Sequence, residues 1–267
     1  TSGSLAAEVL VIRRPALPFF ALLAPVSFSA LSVACGGGGS DDDDDSEPKD
    51  RDRDGIRDSR DDCDRDKEDE GIWGSDPEDG CPATIADLVE LARADVDEFW
   101  AGQFAFEKMT YDPPIKFKAY ETEIETDCGK ALLNNAFYCG ADHSIYYDLN
   151  FLRDELDSNG DFGPVLIIAH EWGHLVQSLL GILDDDTLLT IQTELQADCL
   201  AGVWAADADA RGLMEKGDFE EGITALFRVG DPRDTPFFDP QAHGTPGQRI
   251  DAFNDGWEAG LDACALD

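Results

Sequence analysis

"AHEWGHLVQ", residues 169–177, follows the apolar run Val165-Leu166-Ile167-Ile168 and decides the architecture around it. His170 and His174 are four residues apart, so on a helix they share one face, with Glu171 beside them. A helical His-Glu-x-x-His pattern can bind zinc through both imidazoles and use the glutamate as a base. A catalytic zinc takes three protein ligands and keeps one position open. This stretch supplies two, so the third has to come from elsewhere in the chain.

A second apolar helix is predicted to begin near Asp186 or Thr187 and to run to about Ala206. It contains "TELQADCLAG", residues 193–202. Glu194 and Asp198 are again four apart and share a face. Leu195, Cys199, Leu200, Val203 and Trp204 make the helix largely apolar, and carboxylates buried among such residues need partners. Glu194 falls 20 positions after His174, which leaves room for an antiparallel return. Glu194 can therefore complete a His₂Glu zinc site. Asp198 can accept the other ring N–H of a ligand histidine and fix its tautomer.

The rest of the globular part follows from periodicity. Residues 84–106 carry Ile85, Leu88, Leu91, Val96 and Phe99 at near-helical spacing. "IKFKAYETEI", 115–124, alternates like a strand. "AFYC" and "HSIYYDL", within 136–149, read as further strands. Beyond about Asn150 the pattern is helical. Pro164 starts the His170 helix, Gly181 ends it, and later helices span about 217–229 and 245–263. Strands followed by helices predict an α+β domain over 81–267, a small N-terminal sheet ahead of a helical bundle. The strand 143–149, just ahead of the zinc helix, is expected to offer an edge to an extended peptide.

"VLIIAHEWGHLVQSLLG" and "TELQADCLAGVWA", together with "FYCGADHSIYYDLNFLRDEL", "GDFEEGITA" and "HGTPGQRIDAF", resemble the putative neutral zinc metallopeptidase family, a gluzincin-type group. The resemblance covers about residues 115–264. It implies a zincin-like fold, Zn²⁺ held by His170, His174 and Glu194, and Glu171 as catalytic acid/base acting on a peptide or protein substrate. The chemistry of the residues agrees. Zinc lowers the pKa of bound water to about 7, and Glu171 can take the proton and pass it to the leaving amine. An oxyanion donor is also needed. His243 is the candidate, with helix capping as its structural alternative and Tyr146 and Tyr147 as rivals. His143 reads as structural.

The first 80 residues are of a different kind. Arg13-Arg14 precede an apolar run from Ala16 to Ala34, which reads as an export segment (1–34). "LSVAC" resembles a bacterial lipoprotein processing box that lipidates Cys35. An exported, membrane-anchored protein facing the periplasm or cell surface is expected. Residues 35–49, with Gly36–Gly39 and Asp41–Asp45, predict a flexible tether. In the acidic segment 50–80, Asp50, Asp52, Asp54, Gly55, Asp58 and Asp61 take positions 1, 3, 5, 6, 9 and 12 of a Ca²⁺ loop. That spacing resembles a thrombospondin type 3 calcium repeat.

Charge and cysteines narrow the function class. A formal net charge of -38, from 58 acidic and 20 basic side chains, excludes nucleic acid as an expected partner. Seven cysteines leave six once Cys35 is lipidated, enough for three disulfides in an oxidising compartment. Proximity suggests Cys63–Cys81 and Cys128–Cys139, leaving Cys199–Cys264. The expected function is an exported zinc metalloendopeptidase. The alternative is a catalytically silent surface lipoprotein that keeps the metal and acts in adhesion or spacing through its calcium-binding stalk. Retention of Glu171 favours the enzyme.

Overall fold

Amphipathic segments with good caps and a few close helix contacts build the domain. The computed structural model describes residues 75–76, 81–82, 84–239 and 242–265. Cys35, the five aspartates of the calcium-like segment and the pairing of Cys63 with Cys81 lie outside what is described. A short antiparallel pair, β1 (Ser75–Asp76) and β2 (Cys81–Pro82), precedes helix α1 (Ile85–Phe106). Thr84 caps α1 together with Asp87 in a reciprocal capping box. Leu88, Ala92, Val96 and Trp100 turn one face of α1 into the core.

The sheet follows: β3 (Lys116–Tyr120), the hairpin β4 (Ile124–Thr126) and β5 (Gly129–Ala131), then β6 (Ala136–Cys139) and β7 (Ser144–Asp148). Its three main strands lie in the order β3-β7-β6, with β3 parallel and β6 antiparallel to β7. Two expectations are corrected here. The predicted strand 115–124 stops at Tyr120, and its last residue opens the separate β4–β5 hairpin. The segment 143–149 offers no free edge, because β7 is the central strand and is hydrogen-bonded on both sides. β3 and β6 form the two edges instead. A disulfide joins Cys128 to Cys139 and so ties the hairpin region to β6.

Five helices complete the domain: α2 (Leu149–Asn159), α3 (Phe162–Leu179), α4 (Thr190–Arg211), α5 (Asp218–Val229) and α6 (Pro246–Ala259). Asp148 caps α2 by accepting from the Asn150 N–H at 2.9 Å. Pro164 lies in the first turn of α3, where no intrahelical N–H is needed, and Gly181 (φ +72°) follows its end. Neither Asp186 nor Thr187 caps α4. Asp185 closes a local turn by accepting from Thr187, and the cap falls at Leu189, whose N–H donates to the Gln192 side chain at 2.9 Å. The helix also runs on to Arg211, five residues past the expected Ala206, because Ala208 still faces the core and Gly212 (φ +77°) supplies the stop.

α3 is the central helix, nearly all of it buried between α1, α2, α4, α5 and β6. α4 meets α6 backbone to backbone. A Cβ on Gly202 would lie 2.1 Å from the Phe253 carbonyl oxygen, and one on Gly256 would lie 1.9 Å from that of Cys199. Glycine at both positions is what permits the approach. A second disulfide, Cys199–Cys264, fastens the short turn Leu261–Cys264 to α4. Trp100, Trp172, Trp204 and Phe162 are fully buried around α3. Among the described residues no helix is long and apolar enough to cross a membrane.

Candidate metal centre

The pairing of α3 with α4 sets the site. Contacts between them run 170 to 198, 173 to 197, 174 to 194 and 177 to 193, so the two helices are antiparallel. Gly173 permits the closeness: a Cβ there would stand 2.9 Å from the Ala197 Cα and carbonyl oxygen. His170, His174 and Glu194 thereby converge, each offering a ligand atom within 4.8 Å of the others.

Hydrogen bonds decide which imidazole atoms face inward. His170 Nδ1 lies 2.8 Å from Asp198 Oδ1, an acceptor, so Nδ1 carries a proton and Nε2 is the nitrogen turned towards Glu194. His174 reaches the same state through Gln177. The Gln177 amide nitrogen donates to the Thr193 carbonyl at 2.6 Å, which turns its Oε1 towards His174 Nδ1 at 2.8 Å. Both Nε2 atoms point at the Glu194 carboxylate, at 3.3 and 3.4 Å. Three electron-pair donors so close together repel unless a cation or an extra proton lies between them. Two imidazoles and one carboxylate match the donor set of a zinc centre, and the residues fit that ion.

The titration of these groups points the same way. Burial pulls the His170 imidazolium down, yet Asp198 and Glu194 outweigh it and push the group up to about 10. His174 is raised too, against burial, chiefly by Glu194. Burial works against ionised Glu194, but its contacts with both histidines hold it well below the usual carboxylate range. All three shifts favour positive charge on the imidazoles beside the Glu194 carboxylate.

Behind His170 stands a residue that sequence reasoning missed. Arg249, in the first turns of α6, is buried and forks onto Asp198, with Nε to Oδ2 and NH2 to Oδ1 both at 2.7 Å. Asp198 itself is wholly buried and ionised despite desolvation, held low by Arg249 and His170. The capping box of Thr245 with Gln248 and Pro246 at the start of α6 place Arg249 one turn inside. The signal available in the sequence was the "TPGQR" helix start, but a lone arginine there does not declare its partner. Gln177 was missed for the same reason.

Glu171 lies beside the ligand cluster and is buried at 5% exposure. Its Oε2 accepts the Tyr138 backbone N–H of β6 at 2.8 Å, so the sheet edge aims the carboxylate and leaves Oε1 uncommitted. A cleft of about 500 Å³ opens over these groups. One wall is Asn134–Phe137, a second is Ala225, Leu226 and Val229 of α5, and His170, Glu171, Glu194 and Arg249 form the polar part.

The donor candidates separate clearly. His243 lines the cleft, half-exposed, with its backbone N–H donated to Asp231 at 2.6 Å. It does not cap α6; Thr245 does. Tyr146 points elsewhere, donating to Asp142 at 2.5 Å, and Tyr147 packs on Phe117 in the core. His143 is bonded by the Tyr138 hydroxyl and the Asp112 carbonyl, at 2.8 and 3.0 Å, away from the cleft.

The chain is similar to known proteins. Over 197 residues the chain is 36% identical to YpfJ, an uncharacterized protein of Escherichia coli K12, a span covering 66% of this chain and 68% of that protein. Over 171 residues it is 32% identical to an uncharacterized protein of Mycobacterium tuberculosis, covering 54% of this chain and 58% of the relative. No solved structure matches it. The model of the family described as "putative neutral zinc metallopeptidase" matches residues 75–265, most of the chain. The chain belongs to that family.

Proposed function

We propose that this protein is a zinc-dependent endopeptidase whose metal is held by His170, His174 and Glu194. The observation that carries the reading is the convergence of those three donor atoms beside Glu171 at the floor of an open cleft. A zinc ion in that position supplies Lewis acidity and lowers the pKa of water to about 7. Glu171 accepts the proton of the attacking water at Oε1, while Tyr138 N–H keeps Oε2 in place, and then delivers the proton to the leaving amine. Asp198 and Arg249 hold His170 in the tautomer that presents Nε2. His243, which lines the same cleft, donates a hydrogen bond to the oxyanion.

The edge of β6 is the place for an extended substrate. Asn134–Phe137 lead along the cleft next to Glu171, and pairing through their backbone groups would lay a peptide bond across the centre. The apolar wall of α5 would then receive a side chain. Export and a lipid anchor at Cys35 belong to the same proposal, supported by the N-terminal apolar run and by the two disulfides of the domain. Calcium in the acidic stalk rests on its aspartate spacing alone.

Zinc-loaded protein should cleave members of a peptide library within chains rather than at their ends. Chelation should abolish cleavage and zinc should restore it. Undiminished cleavage by metal-free protein would refute the proposal. Metal-replete wild type that cleaves nothing would favour the silent surface module.

A further inference from the structure

A second cluster of carboxylates, two of them buried and two partly so, lies at the other end of α3. Asp161 immediately precedes that helix, Glu215 lies in the α4–α5 connection, and Asp218 and Glu221 lie in the first turn of α5. Asp161, Glu215 and Asp218 each offer an oxygen within 4.8 Å of the others. Glu221 stands beside them: its Oε2 accepts the Phe162 N–H at 3.2 Å, and burial, then the charge of Asp161, raises its carboxyl. Gly160 leaves the space for that carboxylate, since a Cβ there would come within 2.2 Å of it. His170 lies nine positions after Asp161, so the cluster is about 13 Å along the helix from the zinc ligands.

One feature of the cluster is unexplained by protein contacts. Asp218 is wholly buried; its Oδ2 accepts the Glu215 N–H at 2.9 Å, and its Oδ1 has neither solvent nor a hydrogen-bond partner. A buried carboxylate oxygen left without a partner is destabilising. Burial, then the like charges of Asp161 and Glu215, push both Asp218 and Glu221 up to about 7, with Glu221 adding to the effect on Asp218. Repelling carboxylates around an unsatisfied oxygen are what a cation would reconcile.

We propose that Asp161, Glu215, Asp218 and Glu221 bind one divalent cation, and that the ion is calcium. All four groups offer oxygen only, which selects a hard cation over zinc. Calcium tolerates irregular sets of carboxylates, whereas magnesium demands near-ideal octahedral geometry and keeps several waters. The bound ion ties the start of α3 to α5. Those are the helices that carry Glu171 and the apolar cleft wall, so occupancy stiffens the cleft. The inference goes beyond the zinc proposal and stands whether or not the zinc centre cleaves peptides.

The test uses the full chain, saturated with zinc, stripped of calcium and then titrated with calcium or magnesium chloride while its melting temperature is followed. Calcium at a hundred times its dissociation constant should raise the melting temperature of wild type by roughly 5–10 °C. Magnesium should raise it less. Asp218→Asn should lose most of the shift and, without calcium above about pH 7, where Asp218 is ionised, melt above wild type because a repulsive charge has gone. Glu215→Gln, at a less buried position, repeats the test if Asp218→Asn does not fold. Asp52→Asn/Asp54→Asn in the acidic stalk should keep the full shift. The proposal is overturned if calcium leaves wild type unmoved, if both cluster variants keep the wild-type shift, or if magnesium acts equally.

Discussion

Replacing Asp198 by alanine removes two interactions at once, and the structure allows them to be separated. The wholly buried carboxylate holds His170 Nδ1 at 2.8 Å and takes two Arg249 bonds at 2.7 Å each. Without it the buried guanidinium keeps a single long contact to the Val229 carbonyl, at 3.4 Å, plus the edge of His170. Breaking a buried pair by removing one partner costs about 3–5 kcal/mol, or roughly 10 °C in melting temperature for a domain of this size. Loss of the group that orients a ligand histidine separately weakens metal binding by about 10–100-fold. Asp198→Ala/Arg249→Met should recover most of the stability, because no charge is left unpaired, yet remain about 10–100-fold weaker for zinc. Melting of the metal-free variants and competition with a zinc chelator give the two readouts. Wild-type zinc affinity in the double variant would refute the role given to Asp198. A double variant as unstable as the single one would refute the role given to Arg249.

Three other outcomes follow from the same contacts. Gly173→Ala should push α3 off α4, because its Cβ would meet the Ala197 backbone at 2.9 Å; a loss of about 1–3 kcal/mol in denaturant melts and weaker zinc binding are expected, while Gly247→Ala, with nothing within 4 Å, should be harmless. Replacing Cys199 and Cys264 together by alanine opens a loop with a sequence separation of 65 and should cost about 4 kcal/mol in denaturant melts; an unchanged midpoint would contradict it. In calcium-free, zinc-saturated protein, Asp218 and Glu221 keep their protons up to about 7 in the folded state but lose them near about 4 when unfolded. The folded state therefore binds more protons between those values, so stability should fall as pH rises from about 4 to 7. Asp218→Asn should flatten that slope in melts across the range, and an unaltered slope would contradict the assignment.

What the sequence disclosed depended on whether the partners shared one helix. His170, Glu171 and His174 were legible because helical spacing alone places them together. Glu194 and Asp198 became legible once a second four-residue spacing recurred on an apolar helix. Arg249 and Gln177 were not, since each acts on a residue of another element or on one nitrogen of a ring, and periodicity does not encode that. The contact of Glu171 with Tyr138 N–H is a backbone bond and leaves no residue signature at all. The strand 143–149 was found as a strand but misplaced as an edge, because alternation reveals that a segment is extended and not which neighbours it has. The wrong α4 cap has a local cause: Asp185, Asp186 and Thr187 are all good caps, and the chain spends Asp185 and Thr187 on a turn. The carboxylates of Asp161 and Asp218 come from segments 57 residues apart and meet only in the fold.

The central claim is that two helices build a zinc centre in which Glu171 moves the proton and Glu194 holds the metal. The measurement that tests it most directly is zinc content and peptide cleavage for wild type, Glu171→Gln and Glu194→Ala, side by side. The account predicts one zinc and cleavage for wild type, one zinc and a loss of cleavage of about 10²–10⁴-fold or more for Glu171→Gln, and loss of zinc for Glu194→Ala. Full cleavage by Glu171→Gln, or undiminished zinc in Glu194→Ala, would contradict it.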